Sequence, residues 1–239
     1  EALIPQEEWD LYRSVIDKLR EKGIRFAVGG GLAFSEYSCR VRNTKDLDLY
    51  IFPWDRNAAA AAVLEAGFED YHEKAEYDRS WIFRGYKEPV IVDLIWTAPN
   101  HRMVVDARWL TRGRDVVIRG TRLKLIPPEE LIWAKMYVLQ RDRCDWPDVL
   151  NILYNMGHLL DWRHLLNRAG KDVPLLGGVL SAYRWLAPER ASNLPAWLWE
   201  QAGLSKDWME TSAEVSAERG PILDYRDWFG PKETFEEAK

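Results

Sequence analysis

The sequence predicts an α+β domain followed by a helical domain. Short runs of strand character alternate with helical patterns between residues 24 and 126, whereas only helical patterns follow Pro127-Pro128. The 239 residues, of which 47% are hydrophobic, suffice for one large domain or for a domain with a helical extension. We therefore place the first domain at 1–126, the helical domain at 127–204 and a C-terminal extension at 205–239.

The first half of the chain divides at proline and glycine residues. Pro5 precedes an amphipathic helix that Gly23 ends, and Gly29-Gly30-Gly31 separates a strand from a helix. Asp55 is a candidate cap for the alanine-rich helix. The predicted elements are helix 6–22, strand 24–28, helix 32–39, strand 46–52, helix 55–66, a hairpin of 80–86 and 90–96, a short helix within 102–112, and a hairpin over 115–126 that turns at Gly120.

The second half shows helical periodicity only. The predicted helices span 129–141, 146–156, 161–168, 175–187 and 195–203. The last 35 residues are acidic and mixed, and Gly-Pro pairs interrupt them at 220–221 and 230–231. This composition is typical of a tail that wraps the body of a protein or stays partly disordered.

Composition and charge exclude several classes of protein. The sequence has no apolar run of about 18 residues and no signal pattern at its start, so we expect no membrane contact and a cytoplasmic location. Cys39 and Cys144 lie far apart, which argues against a zinc site or a disulfide framework. The net charge of −5 argues against a broad nucleic-acid surface, although it leaves room for local basic patches.

Two carboxylates stand at the start of the strand predicted over 46–52. Residues i and i+2 of a strand point to one face, so Asp46 and Asp48 project together, away from Leu47 and Leu49. Their charges repel each other unless a cation lies between them, and Mg²⁺ or Mn²⁺ suits such oxygen ligands. An isolated Asp-x-Asp is more often a solvated strand start.

A third carboxylate favours the functional interpretation. Asp93 interrupts the run Val90-Ile91-Val92-Asp93-Leu94-Ile95-Trp96, which is apolar on both faces and predicts a central, buried strand. A buried carboxylate is costly without a hydrogen-bond partner or a metal. If this strand lies beside 46–52, three carboxylates converge as a two-metal phosphoryl-transfer site requires.

The glycine run supplies a candidate phosphate site. Glycine lets the backbone come close to a phosphate, and a helix N-terminus offers free N–H groups to it. By itself the run is more often an ordinary turn.

These residues resemble the signature of the DNA polymerase β-type nucleotidyltransferase superfamily, and are most similar to its AbiEii-like, toxin-type members. The resemblance covers about residues 20–155. It is carried by Ala27-Val28-Gly29-Gly30-Gly31-Leu32-Ala33, Arg42-Asn43-Thr44-Lys45-Asp46-Leu47-Asp48-Leu49, Asp93, Pro128-Glu129-Glu130-Leu131, Lys135, and Arg141-Asp142-Arg143-Cys144-Asp145-Trp146-Pro147-Asp148.

The resemblance implies a nucleotidyltransferase-type mixed sheet and a set of site residues. The catalytic residues would be Asp46, Asp48, Asp93 and Lys135, and the first three would hold Mg²⁺ or Mn²⁺. The nucleotide-binding residues would be Gly30, Gly31, Thr44, Lys135 and Asp145. Arg42 and Lys45 are candidates for a substrate phosphate, although a charged loop is usually just solvated.

Lys135 and the acidic pair after it allow two interpretations each. Lys135 lies on the apolar side of its helix, with Leu131, Ile132 and Leu139, so it either reaches water along its own stem or enters a cleft. Asp145 and Asp148 stand where helix caps do, and the resemblance also allows them a role beside Lys135.

The predicted activity is the transfer of a nucleoside monophosphate from a nucleoside triphosphate to an acceptor hydroxyl. The acceptor stays open among a small molecule, a tRNA end and a protein side chain, and the toxin type of the resemblance raises an antitoxin as a candidate partner. The alternative is a non-catalytic nucleotide-binding or interaction module on the same fold.

Overall fold

The computed structural model describes residues 4–41, 44, 46–205 and 212–230. The chain forms two compact units. In the described part, residues 4–35 and 41–127 make up the first, and residues 36–40 and 128–230 make up the second. Each unit is described by itself.

The first unit is built on a five-stranded sheet. The order of its strands is β1-β2-β5-β4-β3, with β2 and β5 parallel and the other pairs antiparallel. The sheet is therefore mixed, as predicted, and the predicted central position of the Asp93 strand is confirmed. The strands are β1 (Phe26–Val28), β2 (Asp46–Ile51), β3 (Glu69–Asp70), β4 (Ile82–Lys87) and β5 (Val90–Ile95).

Four helices and a second hairpin accompany this sheet. They are α1 (Gln6–Glu21), α2 (Gly30–Ser38), α3 (Arg56–Glu65), α4 (Ala107–Thr111), and the pair β6 (Asp115–Ile118) and β7 (Thr121–Lys124). The apolar stripe of α1 is buried, and this helix contacts α3 and β5. After β7 the chain runs beside β1, where Ile126 N donates to Val28 O at 2.9 Å, one residue before the glycine run.

The second unit is helical. Its helices are α5 (Pro128–Met136), α6 (Trp146–Met156), α7 (Trp162–Ala169), α8 (Val173–Leu186), α9 (Pro188–Ala191), α10 (Ala196–Gln201) and α11 (Ala213–Leu223). A buried ion pair joins two of them: Glu130 Oε1 of α5 accepts from Arg168 Nη2 of α7 at 3.0 Å, and His164 Nε2 lies 2.8 Å from the same oxygen.

The structure departs from the predicted elements in four places. Helix α5 ends at Met136, and 137–145 is a loop, because the chain turns back on itself: Gln140 N donates to Arg143 O at 2.7 Å and Asp145 N donates to Val138 O at 2.9 Å. Asp55 makes no side-chain capping hydrogen bond. Strand β3 and helix α9 are too short to give a periodic pattern. Part of the acidic tail forms α11, and 206–211 and 231–239 lie outside the described residues.

No helix in the described part of the chain is both long and apolar enough to cross a membrane.

Candidate active site

Three carboxylates share one face of the central strands. Strand β2 lies parallel to β5 in a register that pairs Asp48 with Asp93 and Asp46 with Ile91. Because side chains of paired residues in adjacent strands point the same way, Asp93 lies on the face that carries Asp46 and Asp48. Asp93 is buried, whereas Asp46 and Asp48 are partly exposed.

The glycine run packs directly against β2. Gly29 N donates to Asp48 O at 2.9 Å, and Gly30 has a φ of +53°. A Cβ on Gly30 would lie 1.6 Å from Asp48 Oδ2, so only glycine lets the start of α2 approach this carboxylate. The N-terminus of α2, with its free N–H groups, therefore begins beside Asp48.

Thr44 supports the same turn. Its hydroxyl donates to Asp46 O at 2.9 Å, and a Cβ on Gly31 would lie 2.9 Å from Thr44 Cβ. Arg42, Asn43 and Lys45, the other residues of this loop that the resemblance quotes, lie outside the described residues.

Arg84 is a site residue that the sequence reasoning missed. It is the cross-strand partner of Asp93, and its guanidinium donates from Nε to Oδ1 at 2.8 Å and from Nη2 to Oδ2 at 2.7 Å. The predicted hairpin did not contain this pairing, because a turn at 87–89 would place residue 83 opposite residue 93. The turn in the structure is one residue shorter, since Lys87 pairs with Val90, and this register brings Arg84 opposite Asp93.

The surroundings shift the affinity of Asp93 for protons. Burial raises the pKa of Asp93, the hydrogen bonds and charge of Arg84 oppose that rise, and the negative charge of Asp46 adds to it. Asp93 is therefore a stronger base than a solvated aspartate. The hydrogen bonds to Asp93 in turn raise the pKa of Arg84, which stays charged.

Two neighbouring aromatic groups shape the same region. The Tyr50 and Trp109 rings stack with centroids 5.0 Å apart, and Tyr50 follows Asp46 and Asp48 on the same strand face. Burial raises the pKa of Tyr12, and the charge of Asp46 raises it further, so the Tyr12 hydroxyl stays protonated.

The donor set fits a divalent cation in part. Asp46 and Asp48 are two carboxylates on one strand face, a ligand type that Mg²⁺ and Mn²⁺ prefer. Asp93 fits less well because both of its oxygens already accept from Arg84. Within the ranges that the structure describes, no group of three or more His, Cys, Asp or Glu residues is arranged to hold a metal ion.

Lys135 belongs to the second unit, where it is paired with carboxylates. It is buried, and its Nζ donates to Asp145 Oδ2 at 2.8 Å and to Asp148 Oδ2 at 2.6 Å. Arg143 adds two hydrogen bonds to Asp145, at 3.1 and 3.2 Å. Asp145 occupies the predicted N-cap position of α6, but its side chain caps no N–H and pairs with these cations instead.

The first unit is a mixed sheet flanked by helices, and it carries a glycine turn and carboxylates on neighbouring strands. Residues 8–170 match the family described as "Nucleotidyl transferase of unknown function (DUF2204)", and the chain belongs to this family. The narrower AbiEii-like assignment stays a prediction. No curated protein matches the sequence.

Several solved structures are similar at low identity. The antibiotic-resistance factor ANT(2'')-Ia is 19% identical, with 73% of this chain and 90% of that chain covered and a TM-score of 0.44. The lincosamide antibiotic adenylyltransferase LnuA is 12% identical, with 62% and 96% covered and a TM-score of 0.43. An antigenic nucleotidyltransferase-like protein from Paracoccidioides brasiliensis is 19% identical, with 72% and 92% covered and a TM-score of 0.41.

Proposed function

We propose that the protein is an enzyme that transfers a nucleoside monophosphate from a nucleoside triphosphate to an acceptor hydroxyl, with Mg²⁺ or Mn²⁺ as cofactor. The observation that carries the proposal is the register of β2 and β5, which pairs Asp48 with Asp93 on the face that also holds Asp46. Membership of a nucleotidyl transferase family supports the reaction class.

The glycine turn is the proposed phosphate-binding element. Gly30 and Gly31 open α2 beside Asp48, where backbone N–H groups and the helix dipole attract an anion. Asp46 and Asp48 would hold the divalent cation. When bound, that cation neutralises phosphate charge and makes the α-phosphorus more electrophilic.

Asp93 is the proposed base. Its raised pKa suits it to take the proton of the acceptor hydroxyl, while Arg84 fixes the direction of its carboxylate. The acceptor oxygen then forms a bond to the α-phosphorus, the bond from the α-phosphorus to the bridging oxygen breaks, and pyrophosphate leaves with that oxygen.

The assignment of Lys135 and Asp145 to nucleotide binding stays a prediction. In the structure, Asp145 and Asp148 already neutralise the Lys135 ammonium. The acceptor also stays open among a small molecule, a tRNA end and a protein side chain, and the antitoxin partner is untested.

The test is a label-transfer assay. The protein is incubated with each α-³²P-labelled triphosphate, Mg²⁺, and separate pools of cell RNA, protein and small molecules. We expect transfer to one pool and a loss of about 10²-fold or more in Asp48→Asn, since a metal ligand contributes several kcal/mol to the transition state.

Asp115→Asn is the matched control, because Asp115 is an exposed aspartate at the start of β6 whose ion pair with Lys124 lies at the surface. It should keep full activity. Nucleotide binding without transfer to any pool would instead support a non-catalytic nucleotide-binding module.

A further inference from the structure

The ion pair between Arg84 and Asp93 engages both oxygens of the carboxylate. The guanidinium fork donates one hydrogen bond to each oxygen, at 2.8 and 2.7 Å, which is the two-point geometry of a strong arginine–carboxylate pair. The Asp93 side chain is only 4% exposed, so little water competes with the guanidinium for its oxygens.

Contacts with two tyrosines also hold Arg84 in place. Its backbone N–H donates to the Tyr77 hydroxyl at 2.9 Å, and its guanidinium lies 5.7 Å from the centre of the Tyr71 ring. Tyr77 in turn donates to Asp70 Oδ1 at 3.1 Å. The strand register, an aromatic face and a hydrogen-bonded tyrosine therefore fix Arg84 where it is.

A divalent ion on Asp93 would have to displace this arrangement. It would meet a guanidinium that never loses its proton, and it would compete for oxygens that are already paired. The side-chain hydrogen bonds of Arg84 go to Asp93 and not to Asp46 or Asp48.

We infer that Arg84 takes the place of a second metal ion. The site then works with a single divalent cation, on Asp46 and Asp48, and Arg84 is a positioning residue that supplies positive charge beside Asp93. This rests on the proposed function and replaces the two-ion arrangement expected from the sequence.

The experiment counts bound Mn²⁺ by the electron paramagnetic resonance signal of the free ion. Full-length protein is saturated in turn with the α,β-methylene analogues of the four nucleoside triphosphates, which bind without turnover. We expect one Mn²⁺ per chain in the parent protein. We expect two in Arg84→Ala, because the freed Asp93 carboxylate gains a cation in exchange for the guanidinium.

Two further variants support the count of bound Mn²⁺, one as a substitute for Arg84→Ala and one as a control. Arg84→Gln, which removes the charge and keeps one hydrogen-bond donor, carries the same expectation if Arg84→Ala does not fold. Arg79→Ala is the matched control, because this neighbouring arginine pairs with Asp70, and it should leave the count at one.

The count separates failure of this inference from failure of the proposed function. Two ions in the parent protein, or one ion in folded Arg84 variants, would overturn the role of Arg84 and leave nucleotidyl transfer standing. No bound ion in any complex would overturn both, since Asp46 and Asp48 would then hold no cation.

Discussion

The absence of a side chain at Gly30 lets the start of α2 come into contact with the Asp48 carboxylate. The position is demanding in two independent ways: φ is +53°, and a Cβ would lie 1.6 Å from Asp48 Oδ2. Gly23 shares the first demand and not the second, because its φ is +67° and nothing lies within 4 Å of its Cβ position. Comparing substitutions at Gly30 and Gly23 therefore separates the effect of backbone strain from the effect of a clash with Asp48.

Replacing each glycine by alanine should give different results. Gly23→Ala should cost about 1 kcal/mol of stability, as expected for a left-handed backbone, and leave transfer unchanged. Gly30→Ala should cost more and reduce transfer at least about tenfold, because the methyl group displaces a proposed metal ligand. Urea unfolding and the label-transfer assay measure the two effects. Equal effects of the two substitutions on both measurements would show that the contact with Asp48 is unimportant.

At the scale of elements, a buried charge cluster links α5 to the start of α6. Lys135 of α5 donates to Asp145, which immediately precedes α6, and to Asp148, which lies in its first turn. Burial by itself would raise the pKa of Asp145, but the hydrogen bonds and charges of Arg143 and Lys135 outweigh burial and hold the pKa below its ordinary value.

This depressed pKa makes the contribution of Asp145 to stability depend on pH. The contribution is fully present above the unfolded-state pKa, about 3.9, and is lost as the pH falls through the lower folded-state pKa. At pH 7 we expect Asp145→Asn to destabilise the protein by about 2 kcal/mol, since Lys135 keeps Asp148 as a partner.

The check is urea unfolding between pH 7 and pH 2.5. The gap between the parent protein and Asp145→Asn should close at the acid end. Asp142→Asn is the control, because Asp142 is exposed in the same loop and should show no gap at any pH. A gap that stays constant down to pH 2.5 would mean that the ionised form of Asp145 does not stabilise the fold.

At the scale of the whole molecule, the two compact units need not unfold together. The three carboxylates and the glycine turn all belong to the first unit. A ligand that binds only the folded first unit should therefore stabilise that unit by mass action.

We expect Mg²⁺ with a saturating α,β-methylene triphosphate to raise the melting temperature. Ligand at about 100 times its Kd adds about 2.7 kcal/mol, or roughly 5–10 °C for a chain of this size. Differential scanning calorimetry measures the shift and shows which transition moves if two are resolved. The shift should vanish in Asp48→Asn and persist in Asp115→Asn. An equal shift in both variants would place the nucleotide away from Asp48.

Local chemistry predicted much of the fold and the acidic residues of the site. The helices α1, α6 and α8 carry apolar periodicities and α3 an alanine run, and the structure contains each of them near its predicted bounds. The apolar run around Asp93 predicted a central strand because only a strand covered on both faces is apolar on both. Asp46 and Asp48 share a face by the two-residue repeat of any strand.

Contacts between distant residues decided the rest. The pairing of β2 with β5 joins strands that are separated by α3 and two other strands, so no local pattern contains it. The register then set Asp93 beside Asp48 and Arg84 opposite Asp93. Packing alone showed that Lys135 meets two aspartates. The sequence by itself determined which residue types and strand faces are available, because these follow from backbone geometry. Only the tertiary structure decided which charges meet, because that depends on strand order, register and burial.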